Sequence, residues 1–236
     1  MTVLAKPAIL KEREKGNILI EPFDPSLVKN SSVDVTLGEW YYKEKKPNKI
    51  KSEIVLPDEN GNDVVFDEGE ILNMYDEKSV TRMWGEKPFK AQELKEDLPG
   101  IKKGSRIIVL KPGENILSHT QQAIGSSCNN ITTMMKARSS IGRSQITVCR
   151  DAGWGDSNYA YYWTTELTNA GNRTVILVAG ERIGQIVFFD TTGCDETDAY
   201  FNAGKYQTQN TKGKTIEEIK NMWSPSEMLP KLWTSR

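Results

Sequence analysis

Apolar residues in this chain come in groups of strand length, and a Gly, Pro, Asn or charged residue closes nearly every group before a helix-length stripe can form. Ile18-Leu19-Ile20, Ile107-Ile108-Val109-Leu110, Val175-Ile176-Leu177-Val178 and the run from Ile183 to Phe189 follow that rule, and Asn115-Ile116-Leu117 begins a further strand. Val33-Asp34-Val35-Thr36-Leu37 alternates with period 2, as a strand with one buried face does, and is expected to stop at Gly38. Ile54-Val55-Leu56 and Val64-Val65-Phe66 flank Asp58-Glu59-Asn60-Gly61-Asn62, where Asn-Gly predicts a hairpin turn. Lys111-Pro112-Gly113 and Ala179-Gly180-Glu181 read as further turns. Many short strands joined by turns predict a mainly β sandwich or barrel, not a βαβ sheet.

Helix is expected in three places only. The Lys/Glu-rich residues 1–16 predict a short helix or arm ending at Gly16, and a second helix is expected around Ala91 to Asp97. The third covers Thr215 to Trp223, where Thr215-Ile216-Glu217-Glu218 has the form of a capping box. Residues 41–103 are charged and irregular and read as an insertion on a more compact core. The apolar Met228-Leu229-Pro230-Lys231-Leu232-Trp233 is expected to pack on its own core or on a neighbouring subunit. One domain over residues 1–236 is the expectation at this length.

Lys plus Arg (31) nearly balance Asp plus Glu (32), so no overall basic field points to nucleic acid as a partner, and any anion site must be a local cluster. No apolar run approaches the roughly 18 residues of a membrane span, so no membrane partner is expected. Cys128, Cys149 and Cys194 form no C-x-x-C, and the N-terminus has no apolar signal core. The expectation is a cytoplasmic protein with reduced thiols.

The local cluster exists. Arg138-Ser139-Ser140-Ile141-Gly142-Arg143 is followed by Asp151-Ala152-Gly153-Trp154-Gly155-Asp156 and then Thr164-Thr165-Glu166. Guanidinium groups suit phosphate because their planar fork gives paired, charge-assisted hydrogen bonds. A bend at Ser140 to Gly142 would bring Arg138 and Arg143 to one ligand; otherwise the arginines simply pair with Asp151, Asp156 or Glu166. Glu166 stands in a strand of aromatic and β-branched residues, where a carboxylate belongs either on an exposed face or in a site. A catalytic zinc centre is not expected, since His119 is the sole histidine and there is no cysteine pair. His119 itself reads as a structural or surface residue. Neither phosphate-loop fingerprint is present.

Six segments, taken in order, resemble the successive motifs of the dCTP deaminase family, within the dCTP deaminase and dUTPase superfamily. They are Ser32 to Gly38, Arg138 to Arg143, Ala152 to Asp156, Thr165 to Asn169, Gly184 to Ile186 and Gly204 to Gln209. The resemblance implies a β-clip, jelly-roll-like distorted barrel of the dUTPase type, assembled as a homotrimer with sites shared between subunits. It implies deamination of dCTP to dUTP and ammonia with Mg²⁺ on the triphosphate and no zinc. A segment from residue 200 onward would close over the nucleotide.

Position by position, the resemblance makes Glu166 the catalytic general base and acid. Arg143 and Ser139 would hold the reacting water, Arg138, Ser139, Ser140 and Arg143 would bind the phosphates, and Ile141 and Gly142 would lie in the same substrate-binding segment. Asp156 would lie near the deoxyribose, Ala152 near the water and base, and Thr164 and Thr165 beside the substrate. Lys205 and Gln209 would contact the triphosphate, with Tyr200 a looser match in spacing. Asn158 and Tyr161 replace two glycines of the family pattern, so the backbone near the sugar is expected to run differently. Three other activities stay open: a bifunctional enzyme forming dUMP, a dUTPase, and a nucleotide-binding protein without turnover. The carboxylate at Glu166 favours deamination, because the resemblance places an apolar residue there in dUTPases.

Overall fold

The computed structural model describes residues 2–234. β1 (Thr2–Val3) leads into α1 (Lys6–Glu14), and β2 (Ile18–Glu21) precedes the long β3 (Val33–Lys43). β4 (Glu53–Pro57), β5 (Asp63–Asp67) and α2 (Glu77–Trp84) come next, then the short β6 (Phe89–Lys90) and β7 (Gln92–Glu93). β8 (Arg106–Leu110), β9 (Asn115–Ser126) and β10 (Ile131–Ala137) lead to α3 (Ser139–Arg143), β11 (Ile146–Thr147) and β12 (Trp154–Gly155). β13 (Ala160–Asn169), β14 (Val175–Val178) and β15 (Arg182–Asp190) follow, and α4 (Tyr200–Ala203) and α5 (Ile216–Met222) lie in the C-terminal part.

The protein is mainly β. Ten strands join in one sheet along the path β11-β13-β9-β3-β15-β10-β12, with β1, β2 and β6 attached to β15, β9 and β3. β3 serves both halves of this sheet: Val33 to Thr36 pair with β15, whereas Leu37 and Tyr41 to Lys43 pair with β9. The register shifts at each handover, and irregularities of that kind bend a strand and increase its twist. The curled sheet that results wraps one apolar core, in which Val33, Val35, Met135, Leu167, Ile186 and Phe188 are wholly shielded from solvent. Burying a side chain of this size contributes about 1.5–3 kcal/mol.

Several sequence expectations hold in detail. Gly16, at φ +74°, follows α1, and Asp58 Oδ1 accepts the N–H groups of Asn60 and Asn62 in the β4–β5 turn. Thr215 and Glu218 form the reciprocal capping box of α5. The apolar tail packs on its own chain, where Met228 joins Tyr42, Val80, Trp84 and Leu117 in a second cluster.

Two expectations are corrected. β3 does not stop at Gly38 but runs on to Lys43. A Cβ at Gly38 would lie 2.1 Å from His119 Cε1, so this glycine marks a close approach within a strand and not a strand end. Around Ala91 to Asp97 there is no helix, because β6 and β7 pair with β3 and β8 and Ala91 is buried in the core between them. Long-range pairing outweighs the helical propensity of that segment. The helix lies earlier, as α2, where Asp76 Oδ2 accepts the N–H of Ser79 and Gly85 at φ +90° ends the turn. Between β3 and β9 only the two-residue β6 joins the main sheet; β4 and β5 pair with each other, and β7 and β8 join β14 in a separate three-stranded sheet.

Thr165 presents an imbalance in this core: it is fully buried and its hydroxyl has no hydrogen-bond partner among the described residues. An unsatisfied buried hydroxyl costs more than the methyl that would replace it. Thr165→Val is therefore expected to raise the unfolding free energy by about 1 kcal/mol. Chemical denaturation measures it, and a loss of stability would mean that the hydroxyl is satisfied in solution.

Candidate active site

Strand alternation places the carboxylate. Along β13, Trp163, Thr165, Leu167 and Asn169 are buried, while Thr164, Glu166 and Thr168 take the opposite face and are half-buried. Thr164 and Glu166 line a cavity of about 380 Å³. Leu117, directly across from Glu166 on β9, lines it too. Ala152 and Asp156 form one rim, and Tyr159, Tyr161, Tyr162 and Trp163 supply aromatic wall. Tyr200 and Tyr206 approach from the segment after β15, and Trp223, Glu227, Met228 and Pro230 from the tail.

Glu166 is fixed through its backbone and free at its carboxylate. Its N–H donates to Val148 O at 2.7 Å, and its carboxylate makes no hydrogen bond or ion pair among the described residues. Burial raises its pKa above the usual glutamate value; the charge of Arg150 opposes that shift and the charge of Asp151 adds to it. Arg150 is held beside the strand, donating from Nη2 to Asn115 Oδ1 at 2.7 Å and to Thr168 Oγ1 at 3.0 Å. Burial also raises the pKa of the Tyr206 phenol; a hydrogen bond with the Lys231 backbone opposes that shift, and the nearby charges of Glu166 and Glu227 add to it. A half-buried carboxylate with no partner, in an aromatic cavity, is equipped to take and return a proton.

Four other expected site residues reach this cavity: Ala152, Asp156, Thr164 and Tyr200. The ring of Tyr200 packs edge-on against Tyr159 at 5.0 Å. Thr165 does not reach it, since its side chain faces the core. Arg138, Ser139, Ser140, Ile141, Gly142 and Arg143 do not line it either; they form the N-cap and single turn of α3. Arg138 is committed to Asp34, with Nε 3.4 Å from Oδ1, and does not pair with Asp151, Asp156 or Glu166. Asp34 is 2% exposed and also receives Arg182 Nη1 at 3.3 Å and Lys29 Nζ at 3.9 Å. Lys205 is turned to the tail, donating from Nζ to the carbonyls of Lys231 and Thr234 at 2.9 and 3.0 Å, and Gln209 is exposed.

The two lost glycines have separate outcomes. Asn158 takes φ +68°, so the left-handed geometry survives in a residue that tolerates it, anchored by Nδ2 donating to Asn129 Oδ1 at 2.6 Å. Tyr161 is buried and builds the cavity wall. His119 is structural: Nδ1 donates to Thr120 O, Nε2 accepts the Trp40 N–H, and burial lowers its pKa to about 4. Among the described residues no group of three or more His, Cys, Asp or Glu side chains could hold a metal ion, and no helix is long and apolar enough to cross a membrane.

Sequence reasoning missed Tyr159, Tyr161, Tyr206, Trp223, Glu227 and Met228. Tyr206 sits inside the Gly204 to Gln209 motif and could have been found there. The tail residues carried no signal beyond being apolar or capped.

Comparison with known proteins bears on the family and the fold. The family model described as dCTP deaminase-like matches residues 3–191. A relative from Methanosphaerula palustris, described as "dCTP deaminase, dUMP-forming", is 26% identical over 88% of this chain and 91% of its own. A relative of the same description from Methanoregula boonei is 29% identical over 87% of this chain and 93% of its own. The crystal structure of 2'-deoxycytidine 5'-triphosphate deaminase from Agrobacterium tumefaciens shares the fold, with a TM-score of 0.50 at 15% identity over 79% of this chain. That match covers 48% of the solved chain, so this protein spans about half its length.

Proposed function

The chain belongs to the dCTP deaminase-like family, and from that premise we propose that it deaminates dCTP and carries the product on to dUMP. The observation that carries the deaminase reading is Glu166, a carboxylate without a partner among the described residues, half-buried in the cavity with its pKa raised by burial. Water adds at C4 of the cytosine ring as Glu166 takes one of its protons. The carboxyl passes that proton to N3, then takes the proton of the hydroxyl now on C4 and gives it to the amine, which leaves as ammonia as the C4 carbonyl forms, so dCTP and water give dUTP and ammonia. Tyr206 lines the same cavity, and its phenol would join the same proton traffic.

The second step, dUTP and water to dUMP and diphosphate, is supported by the description of both relatives as dUMP-forming and by Asp156 on the rim of the same cavity. Asp156 would orient the water that attacks the phosphate. Mg²⁺ belongs to the substrate here, carried on the triphosphate. The phosphate-binding segment Arg138 to Arg143 stands off the cavity of its own chain, so a second copy supplies it, and the homotrimer of the sequence reading provides that copy. Arg143 and Ser139 of that copy would steady the water, with Arg138, Lys205 and Gln209 on the phosphates.

Incubation with dCTP and Mg²⁺, with ammonia measured and nucleotides separated, tests the proposal. Ammonia, dUMP and diphosphate in equal amounts are expected, with dUTP not accumulating. Accumulating dUTP would reduce the activity to deamination. Turnover of dUTP but not dCTP would make the protein a dUTPase, and binding without product would leave a nucleotide-binding protein.

A further inference from the structure

Two segments outside the main sheet, the stretch between residues 44 and 88 and the tail after residue 210, meet behind the cavity. Val80 and Trp84 of α2 share an apolar cluster with Leu117 and with Met228 of the tail. Leu117 and Met228 are 7% and 3% exposed, and both also line the cavity. The tail is held from several sides. The Trp223 ring centroid lies 4.5 Å from that of His119 and 5.2 Å from that of Tyr162, and Lys205 bonds to the carbonyls of Lys231 and Thr234. It forms one wall of the cavity.

That wall begins beside the reacting group, because Leu117 is the cross-strand partner of Glu166. A cytosine placed with C4 at Glu166 has N3 and the amine on one side and C5 on the other. The nitrogen edge requires hydrogen-bonding partners, which the Ala152 rim and Thr164 can give; C5 requires none and loses nothing against hydrocarbon. The surface made by Leu117 and Met228 therefore belongs to the C5 side.

Resting on the deaminase reading above, we infer that Leu117 and Met228 form the subsite for the pyrimidine 5-position and decide which 5-substituted deoxycytidine triphosphates are turned over. The unbranched thioether of Met228 adapts its shape, so the wall yields to a methyl group. A hydroxymethyl group would bring a hydroxyl against hydrocarbon with no partner, and is rejected. The chain thus takes dCTP and 5-methyl-dCTP and discriminates against 5-hydroxymethyl-dCTP.

Competition between these three nucleotides in one reaction, read as ratios of kcat/KM, tests the inference without depending on how much of a variant folds. For the native chain, 5-methyl-dCTP is expected within about threefold of dCTP, and 5-hydroxymethyl-dCTP about tenfold or more below it. Leu117→Phe should lower the ratio of 5-methyl-dCTP to dCTP about tenfold, and Met228→Ala should raise it. Met228→Leu, similar in volume but stiffer, should lower it and serves where the alanine variant gives no folded protein. Ratios unmoved by all folded variants, or 5-hydroxymethyl-dCTP turned over as well as dCTP, would overturn the assignment while leaving the deaminase reading intact. Absence of ammonia from dCTP itself would remove both.

Discussion

Glu166→Gln is expected to release ammonia from dCTP about 10³-fold more slowly than the native chain while still binding the nucleotide, and to unfold at a higher temperature at neutral pH. Loss of activity follows from removing the only cavity carboxylate placed on β13 to exchange protons with the ring. The gain in stability follows from burial, which raises the folded pKa of Glu166 above its ordinary value of 4.5. A group shifted upward favours folding below its unfolded pKa and loses that contribution as pH rises through the folded value. At pH 7 the ionised carboxylate therefore weighs against the fold, and glutamine removes that burden. The stability difference should shrink as pH falls toward 4.5 and below. The acid limb of the native enzyme's pH–rate profile should lie above the ordinary carboxylate value for the same reason. Ammonia release and thermal denaturation at several pH values measure all of this; a glutamine variant with near-native turnover would take Glu166 out of the chemistry.

Gly38→Ala should be among the most destabilising conservative changes in the chain, lowering the unfolding free energy by about 3 kcal/mol. The added methyl would stand 2.1 Å from His119 Cε1, and the imidazole has nowhere to go. Its two nitrogens are tied to Thr120 O and the Trp40 N–H, and Trp223 packs against the ring. Because Trp223 also lines the cavity, activity should fall along with stability. Denaturation midpoints for Gly38→Ala, His119→Ala and the double variant separate the steric clash from other losses. If the double variant is no more stable than the sum of the single changes allows, the clash with His119 is not the cause.

These two positions also show how much the sequence could tell. Glu166 was legible because a carboxylate is out of character in an aromatic, β-branched strand, and strand alternation then fixes its direction. Gly38 was misread as a strand end, since a sequence cannot show which distant ring a missing Cβ makes room for. The strands and turns were readable from local pattern, down to the Thr215 capping box. The segment around Ala91 was not, because pairing with β3 and β8 is a long-range effect that local propensity does not contain. For the site, Ala152, Asp156, Thr164 and Tyr200 reach the cavity as their motifs suggest. The arginines illustrate the limit: Arg138 was readable as an anion-binding residue, but its partner Asp34 lies in another motif far along the chain. The tail wall was hidden for the same reason, since Met228 and Trp223 gain meaning only once folded against Leu117 and His119.

Asp34 leaves the Ser139 segment with a standing electrical bias. Three cations, Lys29, Arg138 and Arg182, gather on a single shielded carboxylate, so positive charge outnumbers negative there before any ligand arrives. Under the phosphate role proposed above, a polyanion would meet an attractive field already in place, and its rate of capture would fall as added salt screens the surplus.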